Sequence, residues 1–103
     1  MSDLIVEEAK RRKEVFKNLP KLLSELAEEI RKMDPEARVY LFGSAAEGRH
    51  LLSSDIDVLI ITDKSPSEVI AHLWSKGFTD PFEIHVVKDE KPYAERSKLI
   101  RIC

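Results

Sequence analysis

Apolar residues recur at three- and four-residue intervals through the first third of the chain. Phe16, Leu19, Leu23, Leu26, Ala27, Ile30 and Met33 follow this spacing, with Lys, Glu and Arg between them. Residues so spaced share one face of an α-helix. The pattern predicts helix from Asp3 to Met33, interrupted at Pro20, which lacks an amide proton and clashes with the preceding turn. Two helices or one kinked helix would satisfy it, with Pro20 near the first turn of the second piece. Asp34-Pro35 ends it, because a residue before proline is pushed out of the helical region.

The period then shortens. Arg38 to Phe42 is rich in β-branched and aromatic residues and predicts a strand. Gly43-Ser44 breaks it, and Ala45 to Leu52 is short and helical in character. Asp55 to Thr62 predicts a second strand. Its later part is apolar on both faces, as in a central strand covered from both sides. Pro66 suits the first turn of a helix whose apolar face is Val69, Ile70, Leu73 and Trp74, with Trp74 in the core and Gly77 closing it. From Pro81 to Lys88 the chain alternates: Phe82, Ile84 and Val86 on one face, Glu83, His85 and Val87 on the other. Pro92 to Ile102 predicts a last helix carrying Tyr93, Leu99 and Ile102. The order gives an α/β (α+β) fold, a small mixed sheet packed against helices, as a single domain over residues 1–103.

Charge changes this picture in one place. The formal net charge is −2, which argues against direct nucleic-acid binding by long-range attraction. Residues 39–63, the most apolar part, hold one base (Arg49) and four acids (Glu47, Asp55, Asp57 and Asp63). Charges inside a buried-looking run need partners, a shifted pKa or a metal. No apolar run approaches the roughly 20 residues that span a bilayer, and no membrane association is expected. The single cysteine, Cys103, excludes an intrachain disulfide framework and a multi-cysteine metal site, and fits a reducing, cytoplasmic setting.

Asp55 and Asp57 stand two apart on a strand, so both carboxylates leave the same face. Their oxygens can converge on one or two hard cations, which would offset their mutual repulsion. Glu83 interrupts an apolar strand in the same sense, and neighbouring strands in register would bring three carboxylates together. Oxygen donors without cysteine or a spaced histidine pair favour Mg²⁺ or Mn²⁺ over Zn²⁺. An isolated Asp-x-Asp is more often a strand-start cap beside an ion pair. Gly43-Ser44, between a strand and a helical piece, can turn backbone N–H groups and a hydroxyl toward an anion, though Gly-Ser alone is commonly just a turn. The P-loop spacing is absent.

Together these parts are more specific. Leu41-Phe42-Gly43-Ser44-Ala45-Ala46-Glu47-Gly48 followed by Ser54-Asp55-Ile56-Asp57-Val58-Leu59 resembles the DNA polymerase β-like nucleotidyltransferase superfamily, and within it the minimal nucleotidyltransferases. The resemblance covers nearly the whole chain and implies a palm-like domain. It implies that Gly43 and Ser44 hold the triphosphate of the incoming nucleotide, that Asp55 and Asp57 ligate the catalytic metals, and that Glu83 is the third carboxylate. Many relatives carry Arg or Lys just after Gly-Ser; here Ala45, Ala46 and Glu47 stand there, and Arg49 is the candidate for the missing positive charge. The implied activity is Mg²⁺- or Mn²⁺-dependent transfer of a nucleoside monophosphate, AMP from ATP, to a hydroxyl acceptor. The alternative is an antitoxin-like binding subunit paired with a helical HEPN-type toxin. A domain this short leaves the acceptor-binding part to such a partner or to a homo-oligomer.

Overall fold

The computed structural model describes residues 10–11, 13–46, 55–95 and 98–103. Residues 13–17 are helical and lead through Asn18 into α1 (Leu19–Met33), with Pro20 in its first turn, where no intrahelical N–H bond is required. Leu19, Leu23, Leu26, Ala27 and Ile30 form the buried stripe of α1, and Arg31 and Lys32 lie in its last turn, where cations complement the helix dipole. Among the described residues, four strands and three further helical segments follow: β1 (Arg38–Phe42), α2 (Gly43–Ala46), β2 (Ile56–Ile61), α3 (Pro66–Ser75), β3 (Phe82–Val87), α4 (Lys91–Ala94) and β4 (Ile100–Arg101).

The strands form one mixed sheet in the order β3-β2-β1-β4. β1 runs antiparallel to β2 and to β4, whereas β2 and β3 are parallel and joined through α3. On one face Val39, Leu41, Ile56, Val58 and Ile60 meet the apolar sides of α1 and α3 to make the core. The second face carries Phe42, Asp57, Leu59, Glu83 and His85, aligned by register. β2 is buried at every position except Asp57, as its doubly apolar run predicted. Asp57 is the one polar residue in that strand.

α3 ends in a Schellman arrangement. The Phe78 N–H donates to the Leu73 carbonyl and the Gly77 N–H to that of Trp74, with Gly77 at φ +92°. Only Val69 and Leu73 of α3 are buried. Trp74 is 59% exposed, which corrects the expectation of a core tryptophan. Five residues after Val69 turn the helix about 140° past that stripe, so Trp74 faces outward. The tail also differs from expectation. Among the described residues of the tail, helix covers Lys91–Ala94, and the chain then pairs with β1 through β4, Ile102 N–H donating to the Val39 carbonyl at 2.7 Å. Two strand residues are too few for any period, and pairing with an open sheet edge decides their conformation.

Polar contacts tie the helices down. Glu29 of α1 accepts from Lys32 and lies 3.0 Å from His72 Nε2 on α3; these contacts hold its carboxyl below the usual range. Asp34, just past α1, accepts from the buried Thr62 hydroxyl and from the Glu36 N–H, and with the Lys64 charge these hold its pKa below the ordinary 3.8. A carboxyl depressed by folding contributes stability that is fully present above its unfolded pKa and is lost as pH falls through the folded value. Thr62→Val removes the main cause. Melting curves will then show a gap between wild type and variant that is constant near neutral pH and narrows below about pH 4; a gap independent of pH would disprove the link.

Candidate metal and phosphate site

The site lies where β1 ends and β2 and β3 begin. Phe42, the last residue of β1, is aligned with Asp57, and Asp57 with Glu83. The chain leaves β1 at Gly43 with φ +72°, a left-handed conformation that costs other L-residues about 1–2 kcal/mol. A Cβ on Gly43 would fall 2.5 Å from Asp57 Oδ2. Glycine is therefore needed twice, for the turn and for the approach of backbone to carboxylate. Ser44 follows within the same helical segment, α2, whose Ala46 is buried.

On the same face, His85 Nε2 is 3.4 Å from Asp57 Oδ1 and 3.7 Å from Glu83 Oε1. One donor atom from each of Asp57, Glu83 and His85 lies within 4.8 Å of the others. Period-two alternation placed Glu83 and His85 on one face of a strand. The parallel pairing of β2 with β3, which no local pattern reveals, adds Asp57 to them. Phe42 and Tyr93 brace the imidazole edge-on, with ring centroids 5.0 and 6.3 Å from it, and pack against each other at 5.5 Å. Tyr93 belongs to α4, so this short helix lies over the second face of the sheet.

Asp55 stands exposed immediately before β2 and is not in the three-residue group. It lines an adjoining cleft of about 460 Å³ together with Trp74, Thr79, Asp80, Phe82 and Glu83. Glu83 is thus shared between the group and the cleft. At the cleft wall the Arg11 guanidinium donates to Thr79 Oγ1 (2.9 Å) and to the Asp80 carbonyl (2.6 Å). Arg49, expected to supply positive charge, lies outside the described residues, as do Glu47 and Gly48. Arg38 is at the far end of β1. There it donates to Glu90 Oε1 at 2.7 Å and lines a different cleft with Asp34, Lys64 and Lys88.

The mixed sheet brings a left-handed glycine turn against the acidic pair Asp57 and Glu83. The sequence model of the nucleotidyltransferase domain matches residues 23–102, and the chain belongs to that family, as a minimal nucleotidyltransferase. It is also similar to the crystal structure of a candidate nucleotidyltransferase from Sulfolobus solfataricus. The two share 26% identity and superpose with a TM-score of 0.56 over 91% of this chain and 83% of the other. No protein of curated function matches the chain by sequence. Among the described residues no helix is long and apolar enough to cross a membrane.

Proposed function

We propose that the chain transfers a nucleoside monophosphate, AMP from ATP, to a hydroxyl acceptor in a reaction that requires Mg²⁺ or Mn²⁺. The observation that carries this reading is the close approach of the Gly43 turn to Asp57, whose carboxylate is paired in register with Glu83. A phosphate-binding turn and metal-binding acids have to meet for one cation to contact both nucleotide and protein. Two carboxylates converging from neighbouring strands repel each other, and a divalent cation relieves that repulsion, so the donor set fits the metal. Asp57 and Glu83, with Asp55 at the cleft, would hold it. When bound, the cation would offset the charge of the triphosphate and lower the pKa of the acceptor hydroxyl.

The chain's own residues then have distinct tasks. Gly43 and Ser44 would hold the triphosphate, and Arg49 would balance its charge. Glu83 would take the proton of the acceptor hydroxyl as its oxygen bonds to the α-phosphorus and the bond to the β-phosphate bridge breaks, releasing pyrophosphate. In-line displacement puts acceptor and leaving group on opposite sides of the phosphorus. With the leaving group at the β1 turn, the acceptor enters from the β3 side. That is where the cleft offers Asp55, Glu83 and the exposed face of Trp74. A helical partner protein or a second copy of the chain would present the hydroxyl.

The test is incubation with Mg²⁺ and ATP labelled on the α-phosphate, in parallel with ATP labelled on the γ-phosphate, against candidate partner proteins and hydroxyl-bearing small molecules. Nucleotidyl transfer moves only the α-label. Transfer of γ-label, or no binding of ATP with Mg²⁺ in calorimetry, would contradict the reading.

A further inference from the structure

We infer that His85 is a direct ligand of the divalent cation and biases the site toward Mn²⁺ over Mg²⁺. The inference rests on the metal part of the function proposed above and adds a donor to it. His85 Nε2 faces Asp57 Oδ1 at 3.4 Å and Glu83 Oε1 at 3.7 Å. Both distances exceed the 2.7–3.2 Å of an ordinary N–H···O bond, so neither carboxylate holds the imidazole tightly. They are close to the separation of adjacent ligands around one ion, roughly 3 Å for bonds of about 2.1 Å. The ring is 28% exposed at its side chain, and it is oriented by two aromatic edges, Phe42 and Tyr93. A histidine serving only to fill the second face would not need its nitrogen directed between two acids.

The donor set, two carboxylate oxygens and one imidazole nitrogen, has a chemical consequence. Mg²⁺ takes oxygen ligands almost exclusively and gives up its waters reluctantly, whereas Mn²⁺, though the weakest of the first-row divalent series, is a transition ion that gains more than Mg²⁺ does from a nitrogen donor beside carboxylates. Removing the nitrogen therefore weakens Mn²⁺ far more than Mg²⁺.

The experiment uses the metals alone, with no nucleotide. Mn²⁺ binding is followed by electron paramagnetic resonance and calorimetry, and Mg²⁺ binding by competition, in the full chain and in His85→Phe. Phenylalanine keeps the ring packing of Phe42 and Tyr93 and removes the ligand; unchanged melting confirms that the variant is folded. Wild-type protein will show nitrogen hyperfine coupling to bound Mn²⁺. His85→Phe will lose that coupling, raise the Mn²⁺ dissociation constant about tenfold or more, and move that of Mg²⁺ by less than about threefold. A spectrum without nitrogen coupling, coupling that survives in His85→Phe, or an unchanged Mn²⁺ to Mg²⁺ ratio overturns the inference. The outcome is independent of transfer: coupling in a chain that transfers nothing would leave the ligand assignment standing and sink the proposed activity, and transfer without coupling would do the reverse.

Discussion

Asp57→Ala is expected to abolish metal-dependent transfer while leaving the fold intact. Asp57 is the residue at which the separate parts meet. It pairs with Phe42 on one side and Glu83 on the other, the Gly43 turn lies so near that a Cβ there would fall 2.5 Å from its Oδ2, and His85 faces it. Among the described residues, Asp57 is the carboxylate that joins the β1 turn to the β3 acid. The expected loss in kcat/KM is about three orders of magnitude, equivalent to about 4 kcal/mol of transition-state stabilisation. Stability should respond in the opposite sense or hardly at all. The carboxylate is partly exposed and has Glu83 beside it, so its removal relieves a like-charge contact and leaves β2 buried as before. Two measurements check this: turnover of α-labelled ATP at saturating Mg²⁺, and thermal melting. Turnover within about tenfold of wild type would remove Asp57 from the machinery. A collapse of melting temperature with loss of turnover would mean that the residue acts through the fold, and Asp57→Asn, which keeps the shape, then decides between charge and packing.

Much of this arrangement could be read from side-chain order along the chain. β1, β2, α3 and β3 each carry an undiluted pattern, and their observed limits fall within a residue or two of the expected ones. The face shared by Glu83 and His85 followed from alternation alone. The meeting of Asp57 with Glu83 did not, because it depends on which strands are neighbours, a property of the crossover through α3 and of burial on both faces of β2. Two expectations failed for related reasons. Trp74 completes an apolar cluster on paper, yet the stripe of a ten-residue helix over a small sheet has room only for Val69 and Leu73. The tail looked helical because Tyr93, Leu99 and Ile102 are widely spaced apolars. The sheet edge left open by β1 competes for that segment and captures Ile100 and Arg101.

The turn itself yields a sharper test than deletion of a ligand. Gly43→Ala introduces two costs that can be separated. The backbone at φ +72° disfavours any L-side chain by about 1–2 kcal/mol, and this part is indifferent to what stands opposite. The new methyl also falls 2.5 Å from Asp57 Oδ2, so either the turn or the carboxylate must move. Movement of about 1 Å at a positioned group is enough to cost roughly a hundredfold in rate, so Gly43→Ala should lower turnover by two orders of magnitude or more while costing only a few kcal/mol of stability. A double-mutant cycle isolates the second cost. In the Asp57→Ala background the opposing oxygen is gone, and Gly43→Ala should then destabilise only by the backbone amount. Denaturant unfolding of the four proteins checks this, with a coupling of about 1 kcal/mol or more expected between the two positions. Additive free energies would mean that the turn and the carboxylate do not press on each other in solution. The juxtaposition of phosphate cradle and metal-binding acid, on which the functional reading rests, would then fail at its most direct point.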